Sequence, residues 1–335
     1  MPGSNGPSGE LKCSYLTLYT MNETKRAILE ALSAGPVGGP ALAESLDISR
    51  AAVWKHVDEL REAGFEIESG SDGYALDGPT EYNALAVEYG LEAPFSVEYH
   101  DSLGSTNNRA RDLATDGASD VVVLADEQTG GRGRLKRAWS APSGGVWASL
   151  VCRPDVPPTR APLYTLAAAV ATTRAAREAG VDAQIKWPND VVVPLEDEEK
   201  ARPYRKLAGI LTEMEGETDR VTWLVVGIGV NANIDAAALP PEATSVGEEV
   251  GDVDRRVFVQ RLLEEFDAQR NALESVVDSW RDHALTIGKH VRVDCTGGEV
   301  VGTAVDIDDA GALIVETDDG EQTVTAGDCE HVRRA

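Results

Sequence analysis

Apolar positions along this chain change period more than once, and each change marks a different kind of element. Between residues 24 and 34 they fall at Ala27, Ile28, Ala31 and Leu32, the spacing of one helix face. A Gly/Pro turn at 35–40 precedes a second short helix at 41–46. Asp47-Ile48-Ser49 reads as a turn whose serine caps a third helix, 50–63. That helix places Val53, Val57 and Leu60 on one face and stops at Gly64. Two short extended runs, 65–68 and 74–76, flank a Gly/Ser/Asp turn and predict a hairpin wing. Helix, helix, turn, helix and wing is the winged helix-turn-helix order.

Gly78-Pro79-Thr80 marks a linker, and from about Phe95 strands alternate with helices. Strands are expected at 96–99, 121–125, 145–152, 185–187, 191–193, 206–213 and 221–231, the last apolar enough to be central and buried. Helices are expected from Ser105-Thr106-Asn107 through about Leu113, at 161–179 and at 255–273. From Gly288 the period becomes two, and strands at 291–295, 300–306, 313–316 and 323–325 predict a small β-barrel. The expected class is α+β. Its segments are a disordered Gly/Pro/Ser-rich extension at 1–20, a winged helix-turn-helix domain at 21–78, a catalytic domain at 95–285 and a C-terminal barrel at 286–335. Met21, with Asn22 as helix cap, is the expected working start.

Charge alters the picture. The 335 residues carry 57 acidic against 31 basic side chains, a net charge of −26. The excess recurs at 196–199, 306–309 and 316–319 rather than forming one tail. Such a surface repels nucleic acid and anionic membranes, and its spread suggests a halophilic protein kept soluble in high salt. Cys13, Cys152, Cys295 and Cys329 are far apart, the five histidines are scattered, and no zinc pattern results. Free thiols, no membrane-length apolar run and no apolar signal core point to the cytoplasm.

In the first domain, Ser49-Arg50-Ala-Ala-Val-Trp-Lys55-His56 puts small residues where a recognition helix approaches DNA and cations where it meets phosphate. Ser49, Arg50, Lys55 and His56 are the candidate DNA contacts. Against this, residues 21–78 hold five basic residues (25, 26, 50, 55 and 61) and eleven acidic ones, a poor footprint for DNA. A structural or dimerisation module with a solvated Lys55 is the competing reading.

The chemistry concentrates in Gln128-Thr-Gly-Gly-Arg-Gly-Arg-Leu-Lys-Arg-Ala-Trp139. Glycines let this loop bend, and Arg132, Arg134 and Arg137 bring fixed positive charge to one place. That suits two anions handled together, such as a carboxylate and a phosphate. It lacks the Lys-Ser/Thr ending of a P-loop.

This loop is one of five ordered motifs. The others are Ser105-Thr106-Asn107, Lys186-Trp187-Pro188-Asn189-Asp190, Lys206-Leu207-Ala208-Gly209-Ile210-Leu211 and Gly227-Ile228-Gly229-Val230-Asn231. With a winged helix before them and a small barrel after, the chain from Met21 onward resembles the biotin–protein ligases of the bifunctional ligase/repressor (BirA-like) type. The resemblance implies a central domain similar to class II aminoacyl-tRNA synthetases and an SH3-like C-terminal barrel. It implies a two-step, ATP-dependent reaction: biotin and ATP give biotinyl-5′-adenylate and pyrophosphate. The biotinyl group then passes to a lysine of a biotin carboxyl carrier protein of the acetyl-CoA or propionyl-CoA carboxylase type.

By the same resemblance, Arg132, Arg134 and Lys206 are catalytic. Ser105, Thr106, Asn107, Gln128, Gly131 and Gly133 join them around biotin. Trp139, Asn189, Asp190 and Asn231 serve ATP, with Mg²⁺ on Asp190. The winged helix implies repression at operator DNA by an adenylate-loaded homodimer. Leu135-Lys136 stands where relatives often have a third glycine, and the acidic insertion at 194–205 lengthens the path from Asp190 to Lys206. A lipoate–protein ligase and a biotin-sensing regulator without ligase activity are the alternatives.

Overall fold

A computed structural model describes residues 23–79, 82–134, 137–196 and 202–332. The expected extension at 1–20, the start at Met21 with its Asn22 cap, Leu135-Lys136 and the middle of the acidic insertion lie outside these residues. The chain divides into two compact units. One runs to Leu91 and includes Ser96–Tyr99; the other comprises Glu92–Phe95 and everything from His100.

In the first unit, α1 (Glu23–Ser33), α2 (Gly39–Ser45) and α3 (Arg50–Glu62) precede the antiparallel hairpin β1 (Phe65–Gly70) and β2 (Gly73–Pro79). Apolar residues at helical spacing make the core: Ile28, Leu29, Leu32, Val53, Val57 and Leu60, closed by Leu42 and by Phe65 and Ile67 of the wing. The turn between α2 and α3 needs a left-handed residue, and Asp47 takes it at φ 51°. Ser49 Oγ then accepts the Ala52 amide at 3.1 Å and caps α3.

The stretch after the wing, read from sequence as linker, contains α4 (Ala84–Glu88), capped by Asn83, whose Oδ1 accepts the Ala86 amide at 3.0 Å. Asn83 Nδ2 also donates to the Ala63 carbonyl at 2.8 Å, which ties this helix to the end of α3. Five residues complete little more than one turn, too few to display a period.

Strand β3 (Ser96–Leu103) begins in the first unit and ends in the second. After it come α5 (Thr106–Thr115), β4 (Val121–Gln128), β5 (Val146–Cys152) and α6 (Pro162–Glu178). Next are β6 (Gln184–Lys186), β7 (Asp190–Pro194), β8 (Tyr204–Gly216) and β9 (Val221–Val230). The sheet order is β3-β4-β5-β9-β8-β7-β6, antiparallel from β4 onward. Strand β5 is buried throughout and β9 nearly so, which is why both read as continuous apolar runs.

The remaining helices are α7 (Val246–Val250), α8 (Arg255–Asn271) and α9 (Val276–Arg281). A second, five-stranded antiparallel sheet follows, from β10 (His290–Cys295), β11 (Gly298–Ile307), β12 (Leu313–Thr317), β13 (Gly320–Val324) and β14 (Asp328–His331) in the order β13-β12-β11-β10-β14. Its last strand, four residues long, was not expected from the sequence. The two sheets of this unit are joined through Trp187. The indole of Trp187 donates to the Gly311 carbonyl at 3.0 Å, and its amide donates to Thr286 Oγ1, also at 3.0 Å. The architecture is α+β, as expected.

Candidate active site

A cavity of about 630 Å³ lies in the second unit over β8 and β9. Its floor is bare because three glycines share one face of these strands. Gly209 of β8 sits opposite Gly229 of β9, and Gly227 is two residues before Gly229 on the same face. Side chains from elsewhere use the space. A Cβ on Gly229 would lie 3.1 Å from the Trp139 indole nitrogen, and one on Gly227 would collide with the Asn107 amide.

One wall carries the charge. Lys186, the last residue of β6, pairs across the turn with Asp190, the first of β7, and Asp190 in turn pairs with Gly209. This places the Asp190 carboxylate 2.6 Å from Lys206 Nζ and 3.7 Å from the Nζ of Lys186, whose side chain is only 8% exposed. Burial pushes the Asp190 carboxyl up, but Lys206, Lys186 and Arg134 together more than offset it and hold it below the usual carboxylate range. Lys206 Nζ also lies 5.0 Å from the centre of the Trp139 ring.

The Gly/Arg loop forms a second wall. Arg134 donates to Asn189 Oδ1 and to the Gly327 carbonyl, each at 2.8 Å, and Arg137 pairs with Asp328 at 2.5 Å. The start of β14 and the residue before it therefore hold the loop from outside. Asn189 is held at both ends, since its Nδ2 also donates to the Ile210 carbonyl at 2.8 Å. Trp139 Nε1, by contrast, is buried with no protein partner. Asn231 lines the cavity but donates its amide to the Thr244 carbonyl at 2.9 Å.

The opposite end is lined mainly by uncharged polar groups, with the ion pair Arg111–Glu213 beside Asn107. Ser105 caps α5 through the Asn108 amide, at 3.4 Å. Gln128 Oε1 accepts from both the Thr106 amide (2.8 Å) and Thr106 Oγ1 (3.1 Å), so Gln128 presents its NH₂ as a donor. Ser149 Oγ lies 2.8 Å from Thr106 Oγ1 and 2.6 Å from Asn107 Oδ1. Asn107 Nδ2 donates to Glu213 at 3.0 Å. Asn107 is thus satisfied at both ends, and in this structure it positions its neighbours rather than offering groups to a ligand.

Of the residues expected from sequence, Ser105, Thr106, Asn107, Gln128, Arg132, Gly133, Arg134, Trp139, Asn189, Asp190, Lys206 and Asn231 all line this cavity. Gly131 does not. Its role is steric, since a Cβ there would press on the Trp139 carbonyl at 2.6 Å. Sequence reasoning missed Ser149 and the cavity-lining pair Arg111–Glu213 (3.6 Å), and gave no role to Lys186 although it opens one of the five motifs. The only available signal was a lone polar residue in the apolar run of β5 and a lone lysine before Trp187.

A magnesium ion on Asp190 does not fit these residues. Both carboxylate oxygens face ammonium groups, and among the described residues no three His, Cys, Asp or Glu side chains could hold a metal. Cys152, Cys295 and Cys329 are free thiols, and burial pushes Cys152 up to about 12. Among the described residues no helix is long and apolar enough to cross a membrane.

In the first unit, the expected DNA contacts divide. Arg50 and Lys55 are exposed, whereas Ser49 is engaged as a cap. Glu59 gathers Lys25 (3.0 Å), Lys55 (3.6 Å) and His56 (3.4 Å), which leaves its carboxyl below the usual range, mainly through the Lys25 hydrogen bond.

Comparison with known proteins agrees with this geometry. A model of the Biotin/lipoate A/B protein ligase family matches residues 99–231, one of the Biotin protein ligase C terminal domain matches 286–332, and an HTH domain model matches 24–75. The Bifunctional ligase/repressor BirA of Bacillus subtilis is 37% identical over 312 residues, 88% of this chain and 93% of that protein. The Biotin--[acetyl-CoA-carboxylase] ligase of Mycobacterium tuberculosis is 36% identical over 69% of this chain and 86% of its own. In structure, the Aquifex aeolicus biotin protein ligase in complex with biotin and ATP superposes with a TM-score of 0.58 at 24% identity, over 71% of this chain and 99% of that one.

Proposed function

The chain belongs to the biotin–protein ligase family, in its ligase/repressor form, and on that premise we propose that it is an ATP-dependent biotin–[biotin carboxyl carrier protein] ligase that also acts as a repressor. The observation that carries the ligase reading is the polarity of the cavity: Lys206 and the loop arginines at one end, and at the other uncharged donors and acceptors beside the mutually neutralised pair Arg111–Glu213.

Adenylation brings a carboxylate against an α-phosphate, and like charges must be neutralised before they meet. Arg132, Arg134 and Lys206 supply that neutralisation. Lys206 is a compact ammonium on a flexible stem, suited to follow charge as the carboxylate–phosphate bridge forms and pyrophosphate leaves. Asp190 holds it in place, and Lys186 pairs with the other oxygen of that carboxylate. At the other end the neutral ureido ring of biotin needs donors and acceptors, which the Gln128 NH₂ and the Ser105 and Thr106 side chains provide. The unpartnered Trp139 Nε1 and the glycine floor suit the nucleotide, since a flat base requires a surface without side chains. Arg134 uses only two of its five donors on Asn189 and Gly327 and can offer the others to a phosphate, while the glycines beside it let the loop adjust as substrate enters.

The carrier lysine then attacks the mixed anhydride and AMP leaves. The carrier is of the acetyl-CoA or propionyl-CoA carboxylase type. In the repressor role the adenylate is corepressor, the loaded protein a homodimer, and operator DNA the partner of α3. The protein works in the cytoplasm, at high salt given its charge.

The test is ATP–pyrophosphate exchange, with biotin and then with lipoate. Exchange with biotin alone is expected. Exchange only with lipoate would reassign the substrate, and exchange with neither acid from folded protein would leave a biotin-sensing regulator.

A further inference from the structure

Helix α3 presents Arg50, Ala51, Trp54 and Lys55 to solvent on the face opposite its buried Val53, Val57 and Leu60. Trp54 is 57% exposed, the most exposed large apolar side chain among the described residues. It is not needed for the core of its unit, which closes without it. An exposed indole on a small domain forfeits the stabilisation that burial would bring, and large exposed apolar groups commonly mark contact surfaces. Ala51, one turn before it, leaves room for the helix to approach a partner closely.

The charges on the same surface are compromised. Lys25, Lys55 and His56 converge on the single carboxylate of Glu59. Among these surface cations Arg50 alone stands clear of Glu59. Few phosphates can therefore be neutralised, and the sequence-independent part of DNA affinity must be small.

We propose that α3 reads DNA sequence mainly through Trp54, by apolar contact with thymine methyl groups in the major groove, while Glu59 withholds Lys25, Lys55 and His56 from indiscriminate phosphate binding. This inference rests on the DNA-binding reading above. Thymine alone displays a methyl on the major-groove edge, so an indole distinguishes it without any hydrogen bond. A module with weak electrostatic attraction and one apolar reader gains discrimination relative to affinity, which suits a protein of this net charge.

The experiment uses the full chain with biotin and ATP. Duplexes are enriched from a randomised pool, and binding is then measured to an enriched duplex, to its shuffled counterpart and to the enriched duplex with deoxyuridine replacing each thymine, over a KCl series. Trp54→Ala is expected to lose about tenfold on the enriched duplex, little on the shuffled one, with the salt slope unchanged. Deoxyuridine, which lacks only the methyl, should weaken the unaltered protein and leave Trp54→Ala unaffected. Glu59→Gln should tighten both duplexes and steepen the salt slope by about 1 for each phosphate gained. Protection of the α1–α3 amides from hydrogen exchange reports that the first unit is folded in each variant, and pyrophosphate exchange that the second is. Equal loss on both duplexes, or equal sensitivity of both proteins to deoxyuridine, overturns the role of Trp54. An unchanged salt slope in Glu59→Gln overturns that of Glu59. No enrichment by the unaltered protein would sink the DNA-binding reading itself.

Discussion

A lysine that must sit between two arriving anions has to be held before they come, and Asp190 holds Lys206 at 2.6 Å. Lys206→Ala removes the cation while leaving the strand that carries it intact. Adenylate formation should fall by about a hundredfold or more, the usual scale for one preorganised electrostatic group. The thermal midpoint should stay within a few degrees, because Asp190 keeps Lys186 as a partner. Pyrophosphate exchange and a melting curve on the same sample check both halves, and unaltered exchange would remove Lys206 from the mechanism. Lys206 was legible through the motif Lys206–Leu211 and the resemblance it carries, although β8 itself begins two residues earlier, at Tyr204. Asp190 was legible as part of the site but not in its task. Which cation a carboxylate faces depends on the register of β6, β7 and β8, and a bulge in the β7–β8 pairing alters that register. Asn107 shows the same limit: its residue type fits ligand binding, and only the position of Ser149 and Glu213 reveals that its groups are already taken.

At the scale of elements, long segments with a clear period were readable and short ones were not. Strands β5 and β9 and helices α3, α6 and α8 declare themselves through continuous or periodic apolar runs. Helix α4 and strand β14 do not, yet the start of β14 and the residue before it hold the Gly/Arg loop in place through Asp328 and Gly327. Strand β14 also carries a titratable joint. His331 Nε2 lies 3.3 Å from Thr286 Oγ1, and its ring packs edge-on against Tyr204 of β8. Burial, with smaller repulsions from Lys186 and Lys289, pushes His331 down to about 4 from an ordinary 6.5. The unfolded chain therefore takes up this proton below about pH 6.5, while the folded one resists until about 4. Stability contributed by neutral His331 is complete above that window and is lost as pH falls through it. At pH 4.5 the loss should reach about 2 kcal/mol. Melting His331→Gln beside the unaltered chain at pH 7.5 and 4.5 isolates this from the carboxyl titrations. The variant should lose less on acidification; an equal loss would mean that His331 charges freely in the folded state.

For the whole molecule the governing quantity is the net charge of −26. This was fully legible in the sequence, being composition, although how the cations are used was not. Arginines bind the excess acids locally: Arg261 bridges Glu178 and Glu264, Arg270 bridges Asp120 and Asp267, and Arg281 bridges Asp278 and Asp306. Salt acts on these two features in opposite directions. It weakens exposed ion pairs, but each contributes only about 0–1 kcal/mol. It also screens repulsion among the remaining acids, which at about 0.1 M ionic strength reaches roughly 10 Å and so spans many neighbours. With 57 acidic groups against 31 basic ones, unpaired acids outnumber anything the pairs can offset, and repulsion outweighs local attraction. Raising KCl from about 0.1 M to the molar range should therefore raise the thermal midpoint, with most of the gain below about 1 M, where the screening length is already near 3 Å. Continued gains beyond that point, absent in an equimolar series of a weakly excluded salt, would mark solvent exclusion rather than screening as the cause. A midpoint highest at low ionic strength would show that local pairing already neutralises the surface.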